Sequence, residues 1–384
     1  MDFSALKKVR SKLACKAVSV YFARRSGTQP PNFMRPMMIF KRLRSVLLPL
    51  VVCLPLSALA GPFSNLYVFG DSLSDAGNLA LVSPGSVLPT FPGFNGPYYQ
   101  NSRLSDGPVW VEYLAAGLGL AGQAAPALLP PSYGGGNNYA FAGALTGGFA
   151  VGAPPGLLAQ IAGPKSSGLW GGNSVDQSIA DASALYVVVA GGNDMRVASS
   201  IFTTDSADDK AARQAVAEAA ILNLKFGVGL LASRGAKNFL VSTLPDLGYT
   251  PEATLLGVAD ASFDASHQFN RLIPDLLAYG AGVGLKMTLL DMAELTKSIV
   301  TNKSTAASLG ITNINMPCAG FEFSLGTACR DSLFADILHP SGFSHTLIAQ
   351  AALKALGVPE PGSMALLGLA LAGLVVVRRR ARAA

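Results

Sequence analysis

Two short stretches of this chain carry side chains suited to covalent chemistry. Ser72 sits in Phe69-Gly70-Asp71-Ser72-Leu73-Ser74-Asp75, directly after the apolar run Asn65 to Phe69, which reads as a strand. A hydroxyl is thus expected at a strand-to-loop junction. Far downstream, Asp336-Ile337-Leu338-His339-Pro340 offers an imidazole with a carboxylate three residues before it. Hydroxyl, imidazole and carboxylate together supply a nucleophile, a base and a group that orients the base. The chain has three histidines, His267, His339 and His345. His339 is the expected base, because Asp336 lies within one turn and can accept from the far ring nitrogen, which fixes the tautomer. His267 and His345 each fall inside an expected helix.

Such a site also needs donors aimed at the oxyanion that develops during acyl transfer. The Ser72 N–H is one, if a helix begins there. Gly143, in Asn137-Asn138-Tyr139-Ala140-Phe141-Ala142-Gly143-Ala144, allows a close backbone approach. Asn193, in Gly191-Gly192-Asn193-Asp194, offers a side-chain amide. Each residue alone has a plainer reading. Asp71 and Ser72 suit a helix cap, Gly143 and Asn193 suit turns, and His339 suits a surface loop with a local carboxylate.

The elements that must position these groups alternate along the chain. Strand-like runs fall at Leu66 to Phe69, Asn138 to Phe141, Ala184 to Ala190, Asn238 to Ser242 and Lys286 to Leu290. Several are nearly continuous apolar runs, as expected of strands buried on both faces. Helical patterns fall at Pro108 to Leu120, Asp208 to Ser233, Ser262 to Tyr279, Asp291 to Val300 and Ser341 to Leu356. In the second of these, Ala217, Ile221, Leu224, Val228 and Leu231 recur at spacing 3 or 4. The alternation predicts an α/β sandwich with a mainly parallel, five-stranded sheet. Ligands of such sheets bind at the carboxyl ends of the strands, where Ser72 and Asn193 fall. Long Pro- and Gly-rich loops, Ser83 to Tyr99 and Ala124 to Asn137, either shape a channel or run over the surface.

The formal charge of +6 is unevenly distributed. Eleven of the 29 Lys and Arg lie in residues 1–60, and Arg378, Arg379, Arg380 and Arg382 lie at the end. Residues 61–357 hold 14 Lys and Arg against 21 Asp and Glu, a balance of −7. The basic residues therefore belong to the ends, and nucleic acid is not an expected partner. Residues 38–60 read as a signal peptide: Lys41, Arg42 and Arg44, an apolar run from Val46 to Leu56, then Ala58-Leu59-Ala60. Residues 1–37 are a basic extension that fits no folded element, and translation from Met34, Met37 or Met38 would omit most of it. Residues 61–357 are long enough for one sizeable core. In an exported domain, Cys318 and Cys329 are expected to join.

At the other end, Val358-Pro359-Glu360-Pro361 precedes an apolar stretch, 362–377, and the Arg cluster. This reads either as a membrane anchor with a cytoplasmic tail or as an address. Residues 358–384 resemble the PEP-CTERM sorting signal of Gram-negative bacteria. That resemblance implies recognition of Pro359, Glu360 and Pro361 by an exosortase, removal of the helix after transient anchoring, and delivery to the cell envelope or outside.

Ser72 in Gly-Asp-Ser-Leu, Gly143, Asn193 in Gly-Gly-Asn-Asp and His339 in Asp-x-x-His-Pro follow the order of the four blocks of the GDSL/SGNH hydrolase family. Phe69 to Asn78 and Leu244-Pro245-Asp246-Leu247-Gly248 add to the likeness, which covers nearly all of 63–356. The resemblance implies a three-layer, flavodoxin-like α/β/α fold. It implies Ser72 as nucleophile, His339 as base, Asp336 as its orienting acid, and the Ser72 N–H, Gly143 N–H and Asn193 side chain as the oxyanion hole. An exported esterase or lipase is the implied function, acting on lipid or acylated-glycan esters without a cofactor or metal. Acyl transfer to another acceptor, a phospholipase, or a non-catalytic matrix protein remain alternatives. The chain has no Gly-x-Ser-x-Gly elbow, which disfavours the other common serine-hydrolase fold.

Overall fold

Residues 61–82, 102–129, 131–148, 153–162, 180–318 and 329–358 are described by the computed structural model of the chain. The extension 1–37, the signal segment 38–60, the loop Ser83 to Tyr99, the Pro359-Glu360-Pro361 motif and the apolar stretch 362–377 lie outside the described residues.

Successive side chains of a strand point to opposite faces, so an apolar strand feeds two cores at once. Four strands do so: β1 (Leu66–Gly70), β2 (Leu185–Val189), β3 (Asn238–Ser242) and β4 (Lys286–Leu290). Leu66, Val68, Leu185, Val187, Val189 and Leu240 enter one core. Phe69, Tyr186, Val188, Phe239 and Val241 enter the other. The strands pair in parallel in the order β1-β2-β3-β4, and a parallel sheet needs cover on both faces.

Helices supply that cover. In chain order they are α1 (Asn78–Val82), α2 (Trp110–Gly117), α3 (Leu157–Ala162), α4 (Gly192–Ile201), α5 (Ala207–Ser233), α6 (Pro251–Leu255), α7 (Ala259–Asn270), α8 (Ile273–Gly282), α9 (Met292–Thr301), α10 (Lys303–Ser308) and α11 (Gly342–Ala355). On the first face α2 contributes Trp110 and Leu114, and α11 contributes Ile348 and Ala352. On the second, α5 buries Ala217, Ile221, Leu224, Val228 and Leu231, beside Phe269 of α7 and Leu276 of α8. The result is a three-layer α/β/α sandwich.

The fifth expected strand, Asn138 to Phe141, lies along the free edge of β1 but forms only isolated parallel bridges, from Asn138 to Val68 and to Pro126. Val68 N–H donates to Asn137, Tyr139 N–H to Val68 and Phe141 N–H to Gly70, at 3.0, 2.7 and 3.1 Å. The ladder is incomplete because Gly70 N–H, which would donate to the Tyr139 carbonyl, donates instead to Gln160 Oε1, 2.9 Å away. With this segment counted, the spatial order is 2-1-3-4-5, the flavodoxin-like order whose switch point lies between β1 and β2. The continuous helix expected over Ser262 to Tyr279 is instead two, α7 and α8. The break falls at Arg271-Leu272, next to Pro274, whose ring cannot sit inside a continuing helix.

A two-stranded parallel pair, β5 (Asn313–Pro317) and β6 (Ser332–Phe334), stands apart from the main sheet. Cys318 and Cys329 join just beyond β5 and just before β6, with Cα atoms 5.2 Å apart. A third apolar cluster of Ile299, Ala306, Ile311, Leu333, Phe334 and Leu347 ties this pair to α9, α10 and α11. A disulfide closing so short a loop stabilises by roughly 2–3 kcal/mol. The Cys318→Ser, Cys329→Ser double variant is therefore expected to lose about that much unfolding free energy in urea titrations. The wild-type chain should lose the same amount when reductant is added.

Candidate active site

Ser72 enters the site because β1 ends at Gly70 and the chain turns at once: Ser74 N–H and Asp75 N–H both donate back to the Asp71 carbonyl, at 3.1 and 3.0 Å. His339 enters from the other end of the sequence. It lies in a tight loop after β6, closed by Ala335 N–H to His339 carbonyl at 2.8 Å and by a bridge between Phe334 and Pro340. Ser341 then caps α11, its hydroxyl accepting from Ser344 N–H.

The two segments meet. Ser72 Oγ lies 2.9 Å from His339 Nε2. His339 Nδ1 lies 2.7 Å from Asp336 Oδ2. Asp336 Oδ1 accepts from Leu338 N–H at 2.8 Å and His339 N–H at 2.6 Å. An ionised carboxylate only accepts, so Nδ1 carries the proton and Nε2 is left to accept from the Ser72 hydroxyl. All three side chains are buried.

The turn carrying Gly143 is held from three sides. Asp75 accepts from Ala142 N–H at 2.9 Å while also capping α1 through Gly77, Asn78 and Leu79 N–H. Asn193 Nδ2 donates to the Ala144 carbonyl at 3.0 Å, leaving its second N–H for another acceptor. Asp194 accepts from both the N–H and the hydroxyl of Thr146, at 3.0 and 2.8 Å. Gly143 itself has φ +79°, a conformation that favours glycine. Among the described residues neither the Ser72 N–H nor the Gly143 N–H has a hydrogen-bond acceptor. Ser72 and Asn193 line a common cavity with His339, whereas Gly143 is not one of its wall residues.

Asn193, for which a turn was the plainer alternative, stands in the first turn of α4. That helix directly follows β2 through Gly191, whose φ is +119° and whose missing Cβ makes room for the ring of Phe269. The helix has a sequence signal that the turn reading passed over: Met195, Ala198 and Ser199 are buried at i, i+3 and i+4.

Sequence reasoning also passed over the carboxylates that brace the site. Burial pushes Asp75 and Asp194 above the usual carboxylate range, against the pull of the N–H and hydroxyl donors around them. Asp71 is pushed up to about 6, first by burial and further by Asp194, with Leu73 N–H and His339 opposing. Its proton is held more tightly in the folded chain than in the unfolded chain. Its contribution to stability therefore declines by about 3 kcal/mol as pH rises from about 4 through about 6. Asp71→Asn keeps the acceptor for Leu73 N–H and removes the charge. The variant is expected to melt above the wild type at pH 7 to 8, with the advantage vanishing towards pH 4, in thermal unfolding scans across that range.

The other two histidines stand apart from this pair. His345 accepts from Trp110 N–H at Nδ1, 3.2 Å away. Burial pushes its pKa down to about 3, with the charge of His339 adding to the effect, so it holds α11 to α2 as a neutral ring. His267 is 70% exposed and pairs with Asp246 at 3.1 Å. Asp246, pushed up to about 6 chiefly by burial, lines the cavity within the Leu244 to Gly248 stretch.

The profile of a family described as GDSL-like lipase/acylhydrolase matches residues 66–352, and that of the PEP-CTERM protein-sorting motif matches 357–380. The chain is similar to a phosphatidylcholine-sterol acyltransferase of Aeromonas hydrophila, 27% identical over 67% of this chain and 66% of the relative. It is similar to esterase EstA of Pseudomonas aeruginosa, 29% identical over 83% of this chain and 51% of that protein. The chain thus spans about half to just under two thirds of the length of these two relatives. An extracellular lipase of Streptomyces rimosus aligns at 16% identity with a TM-score of 0.38, over 77% of this chain and 99% of that structure.

Proposed function

Since the chain belongs to the GDSL-like lipase/acylhydrolase family and carries a PEP-CTERM sorting motif, we propose that it is an exported serine hydrolase of carboxylic esters. Residues 61–357 are the proposed hydrolase domain, between the signal segment 38–60 and the sorting tail 358–384. In this reading signal peptidase and an exosortase process the two ends, and the product acts in the envelope or outside the cell.

The observation that carries the reading is the unbroken chain Ser72 Oγ, His339 Nε2, His339 Nδ1, Asp336 Oδ2, at 2.9 and 2.7 Å. Ser72 Oγ attacks the acyl carbonyl carbon while His339 Nε2 takes the hydroxyl proton. Asp336 stabilises the imidazolium without itself taking the proton. The tetrahedral oxyanion faces the free N–H groups of Ser72 and Gly143 and the second N–H of Asn193 Nδ2. Collapse breaks the carbon–oxygen bond to the alcohol, which leaves with the proton from His339. Water, deprotonated by the same nitrogen, then attacks the acyl-serine and releases the acid. Transfer to another alcohol follows the same first half, and the acceptor decides the outcome.

A fluorophosphonate probe should label the purified, processed protein at Ser72, and p-nitrophenyl butyrate should block the labelling. A folded protein that takes no label would favour the alternative of a non-catalytic matrix component. Asn193→Ala should lower kcat by about 10²- to 10³-fold with little change in KM, the usual effect of losing one oxyanion donor. Steady-state kinetics on the same ester reads both constants.

A further inference from the structure

The cavity beside Ser72 and His339 has a volume of about 80 Å³ and a mostly apolar lining. Its wall on α9 is Met292, Leu295, Thr296 and Ile299. These positions are i, i+3, i+4 and i+7, one face of the helix over two turns and about 10 Å of length. The facing wall on α11 is Ser344, Leu347 and Ile348, again on one helix face, and β6 adds Leu333 and Phe334. Ile299, Leu333, Phe334 and Leu347 belong to the third apolar cluster, packed behind this space.

We propose that this channel between α9, β6 and α11 is an acyl-chain site that takes a fatty acyl group of medium length. The proposal rests on the acyl-serine reading of Ser72. The Ser72 end carries Asp71, Asn193 and His339, whereas the polar side chains of the α9 and α11 walls are Thr296 and Ser344, and the Ser344 hydroxyl already donates to the Leu333 carbonyl at 2.8 Å. The volume holds roughly five to eight water-sized groups, which suits a chain of about six to eight carbons. A single acetyl would leave most of the apolar wall without contact, and a much longer chain would need Ile299 and its cluster to move.

The test is the rate of p-nitrophenyl ester hydrolysis across acyl lengths of 2, 4, 8, 12 and 16 carbons. The wild-type chain should show kcat/KM for the eight-carbon ester at least 10-fold above that for the acetate, with a fall beyond twelve carbons. Leu295 is half-buried, so Leu295→Trp can fill the channel without displacing the core, and it should cut the eight-carbon to two-carbon ratio about 10-fold or more. Ile299→Ala should move the optimum to a longer chain. Leu222→Trp, on the exposed side of α5, should leave the whole profile as in the wild type. An unchanged ratio in a Leu295→Trp protein that hydrolyses acetate and unfolds at the wild-type temperature would overturn the acyl-channel assignment alone. A wild-type optimum at two or at sixteen carbons would do the same. If no ester in the series is cleaved and Ser72 takes no fluorophosphonate, the proposed function falls together with this inference.

Discussion

Replacing Ser72 by Ala is expected to lower kcat/KM for p-nitrophenyl esters by about 10⁴-fold or more. The unfolding temperature should move by only a few degrees. The hydroxyl is the atom that becomes covalently bonded, and no neighbour can replace it. Ser74 is the nearest alternative in sequence, but its hydroxyl accepts from Trp110 Nε1–H at 3.2 Å and faces away into the α2 core. His339 and the proposed oxyanion donors remain, so weak turnover above the uncatalysed rate should persist. The protein must be freshly expressed and the assay able to read that residue of activity. Hydrolysis near the wild-type rate in a pure preparation would remove Ser72 from the mechanism.

Asp336→Asn is expected to cost about as much, roughly 10⁴-fold in kcat at neutral pH, for a different reason. Asp336 accepts three hydrogen bonds, from Leu338 N–H, His339 N–H and His339 Nδ1. Asn is nearly the same shape, and its carbonyl oxygen can keep the two backbone donors. Its NH2 group then faces Nδ1 and needs an acceptor there, which moves the ring proton to Nε2. His339 would present a donor to Ser72 where the reaction needs an acceptor. The fold should survive, since the loop is also closed by Ala335, Phe334 and Pro340, while kcat falls. Activity that recovers at higher pH would show that the tautomer, not the loop, was lost. A loss of activity accompanied by collapse of the Ser72 label and of the melting temperature would instead make Asp336 a structural brace.

Both predictions depend on residues that can be chosen by type, order and spacing along the chain. Ser72 follows an apolar run, and Asp336 and His339 lie three residues apart, so local sequence was sufficient to nominate them. The strands β1 to β4 were legible for the same local reason: near-continuous apolar runs of strand length suit a parallel sheet buried on both faces. The long helix α5 was legible from its 3.6-residue periodicity. The split between α7 and α8, and the reduction of the Asn138 segment to isolated bridges, were not. Each turns on where particular backbone N–H groups find acceptors, and hydropathy does not record that.

What the amino-acid sequence determined by itself is therefore the inventory and its order: a hydroxyl after a strand, an imidazole with its carboxylate, apolar runs of the right period, and a sorting motif in residues 358–384. Tertiary structure alone decided that residues 72 and 339, 267 positions apart, come within 2.9 Å, that Asp75 and Asp194 hold the Gly143 turn through Ala142 and Thr146, and that α9 and α11 leave a mostly apolar cavity beside the serine. Periodicity and turn chemistry act over a few neighbouring residues and can be read along the chain. Closure of distant loops and the shape of the space between helices arise only when the sheet sets the helices at fixed distances, because those properties belong to pairs of surfaces and not to any one segment.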